Sequence, residues 1–203
     1  MLTLLSVTVL LLLFFLVISF FTFYLTGFCI IALSKEKLAG QEIISLSLCL
    51  GVVMFVLSAI LLSFLNLRLL MLPLILLADL VIILKFKKKI FYPWLIFIKD
   101  KILLLFILLG ILVQGFINFP SGFLYNDGLK FWSSQGHDGL WHVASMEQAK
   151  FSIPILNPGF SGENIYNYHY LVDIVMGEFA RIFPVFSSLD LYFRFFPVLF
   201  SFM

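Results

Sequence analysis

The residues able to perform acid–base or metal chemistry are concentrated in one polar stretch, residues 136–173. This stretch reads GHDGLWHVASMEQAKFSIPILNPGFSGENIYNYHYLVD, and it contains every histidine of the chain: His137, His142 and His169. It also contains Asp138, Asp173 and a group of tyrosines. Imidazoles and carboxylates are the usual general bases and are common metal ligands. Any chemistry that the chain performs is therefore expected here.

The first half of the stretch predicts a short amphipathic helix headed by Asp138. A carboxylate at that position can cap the first turn, and His142 follows one turn later on the same face. Four apolar residues would let the helix lie on the bilayer or on other helices: Leu140, Trp141, Ala144 and Met146. The simpler interpretation is a capped surface helix. The alternative is a general base or metal ligand at Asp138 with His142 as its partner.

The second half predicts irregular backbone followed by entry into a helix. The turn formers Asn157-Pro158-Gly159 precede YNYHYLVD, in which His169 and Asp173 are four residues apart. Further along, Gly177 and Arg181 continue a polar stripe that begins at Asp173. A belt of tyrosine and histidine at the lipid headgroups, with Glu178 paired to Arg181, explains the aromatic residues. It does not explain an acid at Asp173, because ionisable groups in spanning helices usually face a cavity or a partner.

The composition predicts an integral membrane protein in contact with the lipid bilayer. Of the 203 residues 63% are hydrophobic, and the mean hydropathy is +1.14, whereas a soluble domain is roughly half apolar. The 13 Lys and Arg and 11 Asp and Glu residues occur in short clusters between apolar runs. Nucleic-acid binding is excluded, because no soluble basic face is present to carry it.

The apolar runs predict an all-α, polytopic transmembrane helical bundle. A chain in hydrocarbon must satisfy its own backbone hydrogen bonds, and runs such as LLLLFFLV lack the alternation of a membrane barrel. We expect four spanning helices in residues 1–119, at about 4–33, 43–65, 69–84 and 102–119. Residues 120–167 are expected to form one long exoplasmic loop with an interfacial helix. Residues 168–203 are expected to form a fifth spanning helix, at about 168–183, and the start of a sixth near Leu191.

The last apolar run, FRFFPVLFSFM, is too short to span a bilayer, which needs about 20 apolar residues. We therefore expect the chain to be the N-terminal fragment of a longer protein, inactive when isolated.

The basic residues predict the orientation of the bundle. The connectors after the first and third helices share one side and carry eight lysines: Lys35, Lys37, Lys85, Lys87, Lys88, Lys89, Lys99 and Lys101. The opposite side carries Arg68, Lys130 and Lys150. Because the basic side normally faces the cytoplasm, the N-terminus and the loop of residues 120–167 are expected on the exoplasmic face. In a bacterium the membrane would be the plasma membrane.

Other chemical residues give weaker signals. Cys29 and Cys49 lie in apolar runs and are interpreted as small buried hydrophobes. Asp79 is an acid within a predicted span and is a functional candidate, although it lies near enough to the lysines to reach the interface. Asp127 in YNDG is interpreted as a turn residue. Ser161 lacks the context of a hydrolase nucleophile, and no phosphate-binding or zinc-binding motif occurs.

The residues Gly136-His137-Asp138-Gly139-Leu140-Trp141-His142 resemble the first outer loop of the GT-C superfamily of polytopic glycosyltransferases, which take sugars from polyprenyl phosphates. The segment NPGFSGENIYNYHYLVD is similar to the second half of that loop and the next helix in bacterial members related to the dolichyl-phosphate-mannose and aminoarabinose transferases. The resemblance covers about residues 110–196. Two features depart from the family: three additional helices precede the loop, and this chain has fewer spans.

The resemblance implies that Asp138 is the catalytic group, a general base that takes a proton from the acceptor hydroxyl. The resemblance assigns no role to the other polar residues, and we expect them to bind substrate, including the donor phosphate: His137, His142, Tyr168, His169 and Asp173. Asp138, His142 and His169 are candidate ligands for a divalent metal ion. The expected donor is a polyprenyl-phosphate-linked sugar, and the acceptor, in cell-envelope glycan synthesis, is left open.

Two other classes of function fit the same residues. A transporter or lipid flippase would use the stripe from Asp173 to Arg181 as a polar pathway. A non-catalytic assembly subunit would need none of the acids or histidines.

Overall fold

Four helices of the computed structural model are long and apolar enough to cross a membrane. The structure describes residues 2–34, 37–160 and 162–203. The candidate spans are Ser6–Ser34, Gly40–Phe64, Arg68–Phe97 and Lys101–Asn118, called spans 1 to 4 below. Their most apolar windows have mean hydropathies between 2.2 and 2.6. The helical class and the four apolar segments predicted within residues 1–119 are thereby confirmed.

The helices within these spans have several local interruptions. Span 1 covers all but the first turn of α1 (Leu2–Ser19), a π-helical segment (Phe20–Leu25) and α2 (Thr26–Ser34). Span 2 is the single helix α3 (Gly40–Phe64). Span 3 contains a 3₁₀ turn (Arg68–Leu70), α4 (Met71–Phe86), a second 3₁₀ turn (Lys87–Ile90) and α5 (Tyr92–Phe97). Span 4 is α6 (Lys101–Asn118).

Spans 1 and 2 pack closely because glycine lies at each crossing point. A Cβ atom added to Gly27 would lie 1.9 Å from the carbonyl oxygen of Ser47, and one added to Gly51 would lie 1.9 Å from that of Phe23. Small residues let helix backbones approach in a membrane, where contact between the helices replaces the hydrophobic driving force of water. Span 4 differs, since none of its residues is buried.

The segment after span 4 contains more regular structure than the loop that we predicted. A two-stranded antiparallel hairpin, β1 (Phe123–Tyr125) and β2 (Gly128–Lys130), follows span 4. Asp127 lies in its turn. A 3₁₀ turn (Ser133–Gly136) then leads into α7 (Asp138–Phe151), where the amphipathic helix was predicted.

The last part of the chain folds onto the bundle as two short helical segments. The predicted fifth span is represented by α8 (Leu171–Ile182), whose 12 residues extend about 18 Å, less than a hydrocarbon core of about 30 Å. The final segment runs through α9 (Ser188–Asp190), a π-helical segment (Leu191–Phe195) and α10 (Phe196–Phe200). Phe15 of span 1 packs against rings from both segments, including Phe179 and Phe196.

Contacts between distant parts of the chain define two ends of the bundle. Arg68, which begins span 3, donates to the carbonyl oxygen of Ala149 in α7 at 2.6 Å, and Ser63 at the end of span 2 donates to that of Ile153 at 2.8 Å. The connector of residues 65–67 and the helices α7 and α8 therefore share one end, called the polar end. The opposite, basic end carries Lys37 and the lysines between residues 85 and 101. Lys35 lies outside the described residues, as does Ser161.

Candidate functional site

The site forms where α7 crosses α8, at the polar end. A Cβ atom on Gly177 of α8 would lie 2.5 Å from the carbonyl oxygen of Met146 and 2.7 Å from the Cβ atom of Ala149, both in α7. Only glycine permits this approach. The crossing places side chains of α7 directly against side chains from the first turns of α8.

His142 of α7 and Asp173 of α8 form a buried pair across this crossing. The Nδ1 atom of His142 lies 2.9 Å from Oδ1 and 3.2 Å from Oδ2 of Asp173. The Asp173 side chain is 1% exposed, and that of His142 is 20% exposed. Burial raises the pKa of Asp173 to about 6, although interaction with His142 partly offsets the effect. In the tautomer that donates the Nδ1 proton to this carboxylate, the Nε2 atom of a neutral His142 is an acceptor.

Aromatic rings surround this pair. The Tyr168 hydroxyl lies 3.4 Å from Nε2 of His142, and the Tyr168 ring stacks on His169 with centroids 4.5 Å apart. The Tyr192 ring lies 5.5 Å from the imidazole of His142, at an interplanar angle of 17°. Burial, with the nearby charge of Asp173, raises the pKa of Tyr192. The imidazole of His142 therefore packs among aromatic rings.

The structure does not place Asp138 as a helix cap or in contact with His142, as its spacing predicts. It is the first residue of α7 and does not cap the helix; the residue before the helix, His137, makes no side-chain cap either. Its carboxylate lies 2.7 Å from Nδ1 of His137, and both side chains are exposed, by 74% and 94%. The predicted contact of Asp138 with His142 is replaced by the contact of His142 with Asp173. The spacing of His169 from Asp173 likewise makes no helical pair, because α8 begins after His169, at Leu171.

A hollow of about 520 Å³ opens beside Asp138. Its lining comes from α7 and from the turn region that precedes α8: His137, Asp138, Leu140, Trp141, Ala144, Pro158, Gly159 and Tyr168. Trp141 and Tyr168 meet edge to face, with centroids 6.0 Å apart. Tyr168 therefore touches both the hollow and the buried His142–Asp173 pair, and connects an exposed carboxylate site to an internal polar one.

The predicted metal ligands are not gathered into one cluster. The rings of His142 and His169 have centroids 6.3 Å apart, while Asp138 is paired with His137. Among the residues that the structure describes, no group of three or more His, Cys, Asp or Glu residues is placed to hold a metal ion. The divalent metal ion stays a prediction.

A second polar cluster fastens α8 to span 3. The carboxylate of Glu178, which is 0% exposed, lies 2.5 Å from Arg68 and 2.6 Å from Arg181. The sequence predicts the pair of Glu178 with Arg181 from their spacing, and the structure confirms it. The spacing gives no sign of Arg68, which is 110 residues away from Glu178. Tyr192 was not predicted as a site residue for the same reason: it lies far from His142 in the sequence.

Asp79 is buried within span 3. Neither of its carboxylate oxygens has a hydrogen-bond partner among the described residues. The sequence left open that Asp79 contacts the lysines at the interface. No such contact occurs in the part of the chain that the structure describes.

In comparisons with protein-family models, curated proteins and solved structures, nothing matches this chain.

Proposed function

We propose that this chain acts as a membrane glycosyltransferase, moving a sugar from a polyprenyl-phosphate donor to an acceptor at the polar end of the bundle. The observation that carries the proposal is the placement of Asp138 on an open hollow with two aromatic walls. Such a hollow has room for a sugar, whose C–H faces pack on aromatic rings and whose hydroxyls need polar partners. A lipid-linked donor would approach from the bilayer beside the candidate spans.

In the proposed reaction, Asp138 accepts the proton of the acceptor hydroxyl. The acceptor oxygen then bonds to the anomeric carbon of the sugar, while the bond from that carbon to the phosphate oxygen breaks and its electron pair leaves with the phosphate. His137 orients the carboxylate through the contact of 2.7 Å. A positioned general base of this kind typically contributes a factor of about 10² to 10⁴ in rate.

The buried pair has a positioning role in this scheme. Asp173 fixes the tautomer of His142. The Nε2 atom of His142 then accepts a hydrogen bond from the Tyr168 hydroxyl and so fixes the orientation of that hydroxyl. The oxygen of Tyr168 thereby offers a fixed acceptor for a hydroxyl of the substrate in the hollow. His169, stacked on Tyr168, holds that ring from outside.

The packing of α8 supports a transferase over a transporter. A pathway along Asp173, Gly177 and Arg181 requires open space on that face of α8. Instead, α7 covers Gly177 at contact distance, and Arg181 bonds to Glu178. The two ends of the stripe thus belong to two separate clusters, one built on the His142–Asp173 pair and the other on Glu178 and Arg181.

The test uses Asp138→Asn in the full-length protein, reconstituted in vesicles with a panel of polyprenyl-phosphate-linked sugars. We expect transfer to fall by roughly 10²-fold or more, with unchanged yield and thermal stability. Glu163→Gln is the matched control, since Glu163 is an exposed carboxylate in the same loop and should be tolerated. Full transfer by Asp138→Asn would reject the proposal. Sensitivity of uptake at Asp173 and Arg181, with Asp138 tolerant, would identify a transporter.

A further inference from the structure

A second pocket, of about 330 Å³, lies at the basic end, away from the site described above. It forms where the end of α2, the start of α3 and the corner between α4 and α5 meet. Its walls are apolar: Phe28, Ile31, Ala32, Ile43, Phe86 and Pro93. Its remaining lining comes from Lys89 and Tyr92, which are both exposed. The pocket therefore combines a hydrocarbon interior with a cationic, amphipathic rim.

The rim belongs to a dense group of exposed lysines. Four occur within five residues around the corner: Lys85, Lys87, Lys88 and Lys89. None of them takes part in an ion pair with another described residue. The acids described at this end serve as helix caps instead: Glu42 accepts from the backbone of Ala39, and Asp100 accepts from that of Leu103. The positive charge at the pocket mouth is thus left without a counter-charge in the described chain.

The corner that carries these lysines is held in place by the fold. Lys87 has a positive φ of 45°, a conformation uncommon for a residue with a side chain, and it turns the chain sharply between α4 and α5. The buried hydroxyl of Tyr24 in span 1 donates to the carbonyl oxygen of Ile90 at 2.8 Å. The rings of Phe28 and Phe86 meet edge to face, 5.6 Å apart, in the pocket wall. The lysines are therefore presented on a fixed turn.

We propose that this pocket binds an anionic phospholipid, with part of an acyl chain against the apolar walls and the phosphate at Lys89 of the lining and the adjacent exposed Lys88. Charge complementarity supports this occupant, because uncompensated lysines beside a membrane attract anionic headgroups. The apolar walls favour a phospholipid over a free phosphate ion, because only the lipid has acyl chains to pack against them. The site is independent of the glycosyltransferase proposal and does not depend on which face of the membrane the basic end occupies.

The first test is lipid retention by the purified full-length chain in a neutral detergent, measured by native mass spectrometry. The probes are phosphatidylglycerol and phosphatidylcholine with the same acyl chains, and inorganic phosphate. We expect preferential retention of phosphatidylglycerol. Equal retention of the two lipids, or displacement of phosphatidylglycerol by millimolar inorganic phosphate, would overturn the proposal.

The second test separates this pocket from diffuse attraction to the basic end. Each lysine near an anionic surface contributes about fivefold in affinity, so Lys88→Gln with Lys89→Gln should weaken phosphatidylglycerol binding on the order of twentyfold. Lys99→Gln with Lys101→Gln removes the same charge from the same end but spares the pocket, and should change binding much less. An equal loss in both double variants would show diffuse attraction only and would refute a defined site.

The third test fills the pocket without changing charge. Ala32→Phe places a ring into the apolar lining, whereas Leu33→Phe alters the next residue of α2, which is 57% exposed. We expect Ala32→Phe to reduce phosphatidylglycerol retention several-fold and Leu33→Phe to leave it unchanged. Unchanged retention in a folded Ala32→Phe protein would contradict binding in this pocket, and the Leu33→Phe protein controls for the added ring.

Discussion

Asp173 is a carboxylate with almost no access to solvent, and it lies in direct contact with His142. Removing a carboxylate from water disfavours its charged form, and this is why burial raises the pKa of Asp173 to about 6. His142 compensates part of that cost by direct contact. The groups that face the pair from the surrounding elements are Tyr168, His169 and Tyr192. The protonation of this carboxyl is therefore coupled to the folding of the protein.

The raised pKa predicts a specific pH dependence of stability. Because the folded protein holds the proton of Asp173 more tightly than the unfolded chain does, the stabilisation from this group is present below about pH 4 and is lost as the pH rises through about 6. Lowering the pH from about 7 to about 5 should therefore raise the unfolding temperature of the native protein relative to that of Asp173→Asn. Thermal unfolding of both purified proteins, recorded across this range, measures the difference.

The control for this measurement is Glu163→Gln, which removes an exposed carboxylate from the same region. Its unfolding temperature should keep a constant offset from the native protein over the same pH range. A constant offset for Asp173→Asn as well would show that the buried carboxyl is not the titrating group.

At the scale of elements, the site depends on how closely α7 approaches α8. The single glycine at the crossing removes the side chain that would separate the two helices. The cluster of Arg68, Glu178 and Arg181 then fixes α8 against the start of span 3. A buried carboxylate between two guanidinium groups favours this one arrangement, since without the carboxylate two like charges would lie together with no counter-charge.

Gly177→Ala should therefore push α7 away from α8 and lengthen the contact of His142 with Asp173. A Cβ atom at 2.5 Å from a carbonyl oxygen requires the backbones to move, and overpacking of this kind costs about 1–3 kcal/mol. We expect a lower unfolding temperature, measured in detergent. Gly115→Ala is the matched control, because a Cβ atom there would meet nothing within 4 Å. If the two variants are equally stable, the crossing is not tightly packed in solution.

At the scale of the whole molecule, the candidate spans alternate between two chemically different ends. The polar end carries the hollow, the His142–Asp173 pair and the hairpin turn, and the basic end carries the lysine-rich corner. If each candidate span crosses a membrane, an odd number of crossings separates the two sets of connectors, which would then face opposite sides. The distribution of lysines predicts that the polar end faces outward.

Cysteine labelling tests that orientation. Asp127→Cys places a thiol in the hairpin turn, where the native side chain is 68% exposed. In a background with Cys29→Ala and Cys49→Ala, a membrane-impermeant maleimide should label this variant in intact cells without permeabilisation. Lys88→Cys at the basic end should label only after permeabilisation. The reverse pattern would place the candidate site in the cytoplasm and remove the argument for a lipid-linked donor.

The sequence alone determined the features that depend on local pattern. Long uninterrupted apolar runs must form helices in hydrocarbon, and so the four spans were predicted to within a few residues for most boundaries. Amphipathic spacing located α7, and the spacing of Glu178 and Arg181 identified their ion pair. The concentration of acids and histidines also identified the segment that carries the buried pair and the hollow, because polar residues are rare in this chain.

Only the tertiary structure decided which of those residues meet. His142 pairs with Asp173, an acid 31 residues away. Asp138, one helical turn before His142, does not contact it, and His169 does not form a helical pair with Asp173. Tyr192 reaches the same imidazole from the last helical segment, and Arg68 reaches Glu178 from the start of span 3. These contacts arise where a glycine lets two helices cross and where segments distant in the chain meet at one end of the bundle. Periodicity along a chain records which face of a helix is apolar, but the partner of that face is set by packing in three dimensions.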